Sequence, residues 1–395
     1  MTVIFRLGRT RRRWLNARMA RRQQYRLPAS TRGGGWGCFW WLAAAALLTG
    51  IVWVWLQFRP PPTAPLLPVP ATNQTTLPPP APVSSLPRTN LVSRPATPVW
   101  PAPAPASGQW PRPPADVFEV QVALARVAIS SGPLDGVMGG QTRAALRAFQ
   151  RRAGLPESGE PDAATLGRLS LESPPLTVRV MGQADFDRLQ PLAATWLGKS
   201  QQSALEYETI LELIAEEAHA NPKLIRALNP GVDWDNVRPG QTVQVPDVAY
   251  PAPAGSAAWV SISLSGRTLQ VFGAASNLLA HFPCSIAARV EKRPLGELRV
   301  TAIAPDPNYT FNPEVFPESA EARTLGRKLI LPPGPNNPVG TAWISLDRPG
   351  YGIHGTPVPE QVGRTESHGC FRLANWNAAY LLRLVTVGTP VRVEP

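Results

Sequence analysis

Short stretches in the C-terminal third of the chain alternate apolar and polar residues, which is the pattern of strands that bury one face. The clearest stretches are residues 259–264, 268–272, 298–304 and 342–346. Ser265-Gly266 between the first two predicts a hairpin turn, and residues 376–385 predict a helix. We therefore expect residues 256–395 to form a mainly-β domain, a β-sandwich. Residues 308–328 interrupt it with little periodicity, as either a lid or an ordinary surface excursion.

Helical spacing replaces this alternation upstream, in residues 116–171. One apolar face is formed by Val117, Val120, Leu124 and Val127, and another by Leu146 and Phe149. The three- and four-residue spacing predicts three short helices. Asp135 and the glycines in residues 132–139 provide turn and cap chemistry between them.

A third pattern, an unbroken apolar run, covers residues 36–58. These twenty-three uncharged residues can cross a hydrocarbon core of about 30 Å. Residues 1–35 before the run hold ten arginines and no lysine or acidic residue. This excess predicts a single-pass helix in the inner (cytoplasmic) membrane, with a cytoplasmic N-terminus and the other domains periplasmic or otherwise extracytoplasmic. A cleaved signal peptide is less well supported, because the run is long and no small-x-small site follows it.

A proline-rich segment separates the apolar run from the folded domains. Residues 59–115 contain nineteen prolines among fifty-seven residues, a composition that favours extended polyproline II. At about 3.1 Å per residue, the contour length of this linker is roughly 170 Å. It either holds the following domains away from the bilayer or acts as a plain spacer.

The formal net charge of +12 is concentrated in the N-terminal tail. Removing its ten arginines leaves +2 for residues 33–395. A basic nucleic-acid-binding face is therefore not supported, and we predict no nucleic-acid partner. The tail itself is suited to anionic lipid at the inner leaflet.

Two short motifs near the C-terminus carry candidate catalytic chemistry. They are His354-Gly355-Thr356 and Ser367-His368-Gly369-Cys370-Phe371-Arg372. A thiolate is the nucleophilic form of cysteine, and a nearby imidazole can take the thiol proton near neutral pH. The glycine before Cys370 allows backbone amides, those of Gly369 and Cys370, to approach an oxyanion.

Two other interpretations of these motifs are weaker. A structural role fits a lone Cys or His better than it fits this combination. A three-ligand zinc site usually shows an acidic or water-activating partner, and Glu366 is the only carboxylate nearby. Cys284 and Cys370 are predicted to remain unpaired, because a disulfide between them would disable the nucleophile.

The two motifs resemble the signature of the YkuD-type L,D-transpeptidases, and the resemblance extends over about residues 257–394. It implies that Cys370 is the nucleophile and that His354, oriented through a carbonyl contact near Gly355, is the base. It implies that His368 shapes and stabilises the site. The family uses neither a metal nor another cofactor.

The resemblance also suggests roles for the remaining motif residues. Gly369 and Gly355 are the backbone groups assigned to the oxyanion region. Arg372 either holds a substrate carboxylate or braces the loop. Ser367 either orients an imidazole or caps the turn, and Thr356 is grouped with these two among the substrate-binding residues.

The implied reaction is acyl transfer from a peptidoglycan stem peptide through a Cys370 thioester. A second stem peptide as acceptor would give 3-3 cross-links in cell wall biogenesis, which is the outcome we expect. A protein lysine would instead attach a protein, and water would make the enzyme an L,D-carboxypeptidase. Carbapenems are expected to acylate the same cysteine. A non-catalytic wall-binding scaffold is the alternative of another class, which the intact His354, His368 and Cys370 argue against.

Two upstream segments show further resemblances. Residues 132–166 resemble the peptidoglycan-binding-1 family, which implies glycan as a partner. Residues 205–247 weakly resemble a LysM module, so residues 172–255 are expected to be α+β, with a first strand near Tyr207, then two helices and a second strand. Residues 210–213 replace the usual Gly-Asp-Thr-Leu loop, so this module either contacts glycan or only packs against its neighbours. His219 is expected on its helical surface.

Overall fold

The computed structural model describes residues 109–316, 319–365, 367 and 369–395. The predicted tail (1–35), the predicted membrane span (36–58) and nearly all of the predicted linker (59–115) lie outside these residues, as does His368. Among the residues described, no helix combines the length and the apolar character needed to cross a bilayer.

The three predicted helices of the first domain are confirmed. They are α1 (Val117–Ala125), α2 (Gly140–Ala153) and α3 (Ala163–Leu166). Asp116 caps α1 by accepting a hydrogen bond from the Glu119 amide at 2.8 Å, and Gly154 ends α2 in the left-handed conformation at φ 68°. The domain begins before the predicted boundary at residue 116, because the backbone of Arg112 pairs with that of Leu171.

An antiparallel pair of strands opens and closes the next segment, which we call the middle module (residues 172–255). Strand β1 (Leu176–Val180) pairs with β2 (Thr242–Pro246). The helices between them are α4 (Gln183–Phe186), α5 (Trp196–Ser200), α6 (Ile210–Glu217) and α7 (Pro222–Leu228). The prediction of a strand near Tyr207 is wrong: the chain there leads into Thr209, whose hydroxyl caps α6 by accepting from the Glu212 amide at 3.2 Å.

The prediction that His219 lies on the surface of this module is also wrong. Its imidazole is enclosed between the rings of Tyr250 and Trp376, with ring centroids 4.8 and 5.1 Å away. Burial lowers the pKa of His219 to about 3. His219 therefore packs the middle module against the C-terminal domain.

The C-terminal domain is built on strands. They are β3 (Trp259–Ser263), β4 (Thr268–Phe272), β5 (Leu278–Pro283), β6 (Gly296–Pro305), β7 (Tyr309–Phe311), β8 (Leu329–Leu331), β9 (Ala342–Leu346), β10 (Gly352–His354), β11 (Phe371–Arg372) and β12 (Pro390–Glu394). The hairpin predicted around Ser265-Gly266 is confirmed by the antiparallel pairing of β3 with β4. The helix predicted after the cysteine is α9 (Asn375–Leu382).

The predicted two-sheet sandwich is wrong. Eight of these strands form one sheet in the order β11-β10-β9-β6-β12-β3-β4-β5. Strand β6 is ten residues long, so its first part pairs with β12 and its second part with β9. Ser285, just beyond β5, bridges to Arg372 of β11. This contact brings the two ends of the sheet together, so the sheet is curled.

Pleating gives the curled sheet one buried face. Val260, Ile262 and Val391 point inward and are fully buried, and Ile353 of β10 and Phe371 of β11 share this core. Because side chains alternate along a strand, the neighbours of Ile353 and Phe371 point to the other face. Two of these neighbours are the predicted catalytic residues His354 and Cys370.

The 308–328 segment has a packed structure of its own. Strands β7 and β8 pair antiparallel, with α8 (Ala320–Leu325) between them. Phe311 stacks on Trp196 of α5 at 4.4 Å between ring centroids. The Glu321 carboxylate accepts hydrogen bonds from the amides of Trp196 and Leu197 at 2.8 and 2.9 Å. The insertion is therefore a hairpin braced by the middle module, not a loose excursion.

Candidate active site

The pairing of two short strands brings the catalytic candidates together. β10 runs parallel to β11, with Ile353 opposite Phe371 and His354 opposite Arg372. Continued by one residue, this register sets Cys370 beside Gly352. Ile353 and Phe371 face the core, so His354 and Cys370 project from the same opposite face of the sheet.

The imidazole of His354 is fixed by its surroundings. Its Nδ1 lies 2.6 Å from the carbonyl oxygen of Gly355, and its ring stacks on Trp343 at 5.6 Å between centroids. An Nδ1–H donating to that carbonyl leaves Nε2 as a proton acceptor. Burial lowers the pKa of His354 to about 4, opposed by the Gly355 carbonyl and assisted by the Arg372 guanidinium. The imidazole is therefore neutral at pH 7.

Cys370 is partly buried immediately before β11, and its Sγ lies 3.6 Å from the Gly350 carbonyl oxygen. Burial raises the pKa of the Cys370 thiol, while the Gly352 amide and the Arg372 guanidinium favour the thiolate. Within the described part of the chain, no hydrogen bond joins Cys370 to His354. The resting pair is thus a neutral thiol and a neutral imidazole on one face.

Ser367 caps the turn that carries the cysteine. Its hydroxyl donates to the Cys370 carbonyl oxygen at 2.5 Å and accepts from the Gly369 amide at 3.2 Å. The Gly369 amide is therefore engaged, and an oxyanion would have to replace Ser367 as its acceptor. The Gly355 amide lies 3.2 Å from the Ala342 carbonyl oxygen. The carbonyl of Gly355, rather than its amide, therefore contacts the His354 imidazole.

The remaining motif residues lie close by. Arg372 is partly buried, and its backbone exchanges hydrogen bonds with Ser285 at 2.9 and 3.0 Å. Desolvation lowers the pKa of Arg372, against the influence of Cys284 and Cys370. Thr356 is buried, with its hydroxyl 3.4 Å from the Val358 amide that donates to it. The role assigned to His368 stays a prediction, because that residue lies outside the described part.

Cys284 carries a free thiol, as does Cys370. The Cys284 side chain is fully buried, and burial raises its pKa to about 12, while the Arg372 guanidinium lowers it. Such a thiol is unreactive at neutral pH. No cluster of three or more histidine, cysteine, aspartate or glutamate side chains suited to a metal ion is present among the residues that the structure describes.

Sequence reasoning missed Tyr309 and the part played by Asn375. Burial raises the pKa of Tyr309 to about 12, and negative charge on Cys370 would add to the rise. Tyr309 belongs to the insertion, where no periodicity signalled it. Asn375 is buried, and its Oδ1 accepts from the Thr341 amide at 3.3 Å.

A separate cleft of about 640 Å³ lies between α2 and the outer face of β3, β4 and β12. Its sheet wall presents serine, threonine and glutamine side chains such as Ser261, Ser263 and Gln270, and α2 contributes Arg147 and Arg151. Neither Cys370 nor His354 is among the residues that line this cleft. Arg392 and Glu394 line the cleft as well, so it holds one carboxylate beside three guanidinium groups, and guanidinium groups are suited to carboxylates of a ligand.

Two family models match the chain. The model described as the L,D-transpeptidase catalytic domain, YkuD, matches residues 257–393. The model of a peptidoglycan binding domain matches residues 113–169. The first match contains both motifs, and the second covers the three helices of the first domain.

Relatives of the chain carry corresponding names. A Bacillus licheniformis protein named as the L,D-transpeptidase YkuD is 27% identical over 185 residues, which are 47% of this chain and 93% of that protein. A Fuscovulum blasticum protein named as an L,D-transpeptidase is 34% identical over 112 residues, 28% of this chain and 56% of that protein. The chain therefore spans little more than half of the second relative.

The chain is also similar to solved L,D-transpeptidase structures. Mycobacterium tuberculosis L,D-transpeptidase 3, in complex with a faropenem-derived adduct, is 19% identical to it. The match covers 40% of this chain and 76% of that one, with a TM-score of 0.28.

Proposed function

We propose that the protein is a cysteine transpeptidase of peptidoglycan stem peptides. The premise is that residues 257–393 belong to the L,D-transpeptidase catalytic domain family and residues 113–169 to a peptidoglycan binding domain family. The observation that carries the proposal is the parallel pairing of β10 with β11. It places His354 and Cys370 on one face of the sheet inside the family-matched domain.

The first half-reaction forms a thioester. Cys370 Sγ attacks the carbonyl carbon of the third stem residue while His354 Nε2 takes the thiol proton. Because the pKa of His354 lies well below that of the thiol, this transfer accompanies the attack rather than preceding it. The tetrahedral oxyanion collapses, the bond to the terminal D-amino acid breaks, and the leaving amine receives the proton from His354.

The second half-reaction regenerates the enzyme. An acceptor amine attacks the thioester carbon, His354 takes a proton from that amine, and the thiolate leaves and is reprotonated. Amides of Gly369 and Cys370 are the proposed oxyanion donors. The bond from the Gly369 amide to Ser367 would then be exchanged for one to the oxyanion. Arg372 lowers the cost of negative charge on the sulfur.

The acceptor that we favour is the side-chain amine of a second stem peptide, which gives 3-3 cross-links. A wall-binding domain packed in the same compact unit as the catalytic domain would hold the enzyme on a polymer, where a second stem peptide is close. Residues 36–58 would anchor this unit to the membrane.

Muropeptide analysis of a deletion strain distinguishes the acceptors. Loss of 3-3 cross-links supports a stem peptide as acceptor, loss of a covalently attached protein supports a protein lysine, and accumulated tetrapeptides support water.

Substitution of the cysteine tests the chemistry directly. Incubated with disaccharide tetrapeptide, the soluble part of the wild-type protein should release the terminal D-alanine, and Cys370→Ala should reduce this release by at least about 10³-fold, because the nucleophile is lost. Cys284→Ala is the matched control, since it removes the buried thiol that has no assigned role, and it should retain turnover. Unchanged release by Cys370→Ala would refute the proposal.

A further inference from the structure

Helix α6 of the middle module presents two glutamates, one helical turn apart, to the C-terminal domain. Glu212 accepts a hydrogen bond from Asn336 Nδ2 at 2.6 Å. Glu216 accepts from Asn375 Nδ2, which lies 3.1 Å from each carboxylate oxygen. Residues four apart share one helix face. This face of α6 therefore holds two asparagines of the catalytic domain, Asn336 in the loop before β9 and Asn375 at the first position of α9.

Asn375 connects Glu216 to the loop that carries the catalytic histidine. Its side chain also donates to the Pro335 carbonyl oxygen at 3.1 Å. It fills the space beside Gly340 and Gly355 so tightly that a Cβ at either glycine would collide with its Oδ1. Displacing the Asn375 side chain would therefore remove one of the contacts that hold the backbone at Gly355 in place.

The Gly355 backbone in turn orients the imidazole. Its carbonyl oxygen is the acceptor at 2.6 Å from His354 Nδ1, and the His354 carbonyl accepts from the Leu373 amide at 2.8 Å. Three successive contacts thus link Glu216 to His354, through Asn375 and then Gly355. Each link is a hydrogen bond or a direct van der Waals contact.

The environment of Glu216 differs from that of the neighbouring Glu217. Glu217 forms ion pairs with Arg179 at 2.7 Å and Arg188 at 3.7 Å. Within the described chain, the partners of Glu216 are neutral donors, Asn375 and the Tyr207 hydroxyl at 3.2 Å. Burial raises the pKa of Glu216 to about 7, and the nearby carboxylates of Glu212 and Glu360 add to the rise. Burying a carboxyl group without a cation is costly.

We infer that Glu216 is a positioning residue of the active site, which acts through Asn375 and Gly355 to hold His354, and that the middle module is thereby part of the catalytic apparatus. This inference rests on the proposed roles of His354 and Cys370.

The test is the rate at which a carbapenem acylates Cys370, followed by intact-protein mass spectrometry. Glu216→Ala should slow the first-order acylation step by about 10-fold or more, because the imidazole is misplaced. The half-saturating carbapenem concentration and the fraction finally acylated should not change. Glu216→Gln keeps an acceptor oxygen for Asn375 and should stay within about threefold of wild type. Glu217→Gln, the matched control, should leave the rate unchanged.

A folding defect is recognised by circular dichroism and by an incomplete final acylated fraction. If Glu216→Ala does not fold, Glu216→Asp replaces it: the shorter carboxylate withdraws from Asn375 and should slow acylation more than Glu216→Gln does. A folded Glu216→Ala protein with the wild-type acylation step would overturn the inference, and so would a Glu216→Gln protein slower than Glu216→Asp.

The same assay separates this inference from the proposed function. If His354→Ala leaves the acylation step unchanged, the proposed base is wrong and the inference fails with it. If His354→Ala slows acylation but folded Glu216→Ala does not, the function stands and only the positioning role of Glu216 is lost.

Discussion

At the residue scale, the environment of each motif residue decides its chemistry. His354 is held in the tautomer that leaves Nε2 free to accept, and burial makes it a weak base in the resting protein. Cys370 lies on the same face with a raised thiol pKa. The resting pair is neutral, so in the proposed mechanism a thiolate forms only as Cys370 attacks the substrate carbonyl.

This environment predicts an unusual pH dependence of acylation. An imidazole of ordinary pKa, about 6.5, would lose its basic function as the pH falls through 6.5. Because the pKa of His354 is lowered to about 4, its neutral form persists to lower pH. The carbapenem acylation rate should therefore stay level from pH 7 to about 5.5 and fall only as pH approaches 4. His354→Ala should reduce the acylation rate by about 10²-fold or more. A wild-type acylation rate that falls with a midpoint near pH 6.5 would contradict the assignment of His354 as the base.

The sequence was sufficient to single out Cys370 and His354 as catalytic candidates, because they belong to short motifs, and their roles stay a prediction. It could not reveal the pairing of Glu216 with Asn375, which joins residues 159 positions apart. Nothing in the local pattern around Glu216 distinguishes it from the neighbouring Glu217. Only the packing of α6 against the catalytic domain gives the two carboxylates different surroundings.

At the element scale, the local sequence patterns predicted the individual helices and strands better than they predicted how the strands assemble into a sheet. The three helices of the first domain and the β3–β4 hairpin follow from period and turn chemistry, and both are present. The sandwich prediction failed because β6 is long enough to belong to both halves of the sheet. The first strand of the middle module was misassigned because Thr209 is a helix cap.

The turn after β10 offers an element-scale prediction. Gly355→Ala adds a Cβ that collides with the Asn375 side chain, so the turn must shift and the histidine with it. We expect the free energy of unfolding to fall by about 1–3 kcal/mol, the usual cost of overpacking, and acylation of Cys370 to slow. Urea denaturation measures the first effect and mass spectrometry the second.

Gly231→Ala is the control for this prediction. No atom lies within 4 Å of the position that a Cβ would take at Gly231, so the free energy of unfolding should change little and acylation should not change. Wild-type stability and acylation in Gly355→Ala would show that the turn can adapt without disturbing His354.

At the scale of the whole molecule, three folded parts share one compact unit. The helical domain and the middle module share a hydrophobic core, while residues of the middle module reach the catalytic loops. Cys370 is not among the residues that line the polar cleft between α2 and the curled sheet. We predict that the polymer attaches at this cleft, so attachment and the chemistry on the stem peptide should be separable.

A charge reversal in the cleft tests this separation. Stem peptides carry carboxylates, which guanidinium groups bind well. Arg147→Glu should weaken binding to purified sacculi by about threefold or more, with the loss reduced at high salt, while Cys370 acylation stays at the wild-type rate. Arg168→Glu makes the same charge change on an exposed residue of the same domain. Equal losses for both variants would mean that net charge, and not the cleft, governs binding.

The central claim is that Cys370 carries the acyl group during turnover, and intact-protein mass spectrometry tests it most directly. Cys284→Ala protein, which keeps Cys370, should be mixed with disaccharide tetrapeptide and quenched in acid within the first turnovers. The predicted result is a protein mass increased by that of the substrate minus D-alanine, with peptide mapping placing the adduct on Cys370. D-alanine release without any adduct, or with an adduct on another residue, would contradict the account.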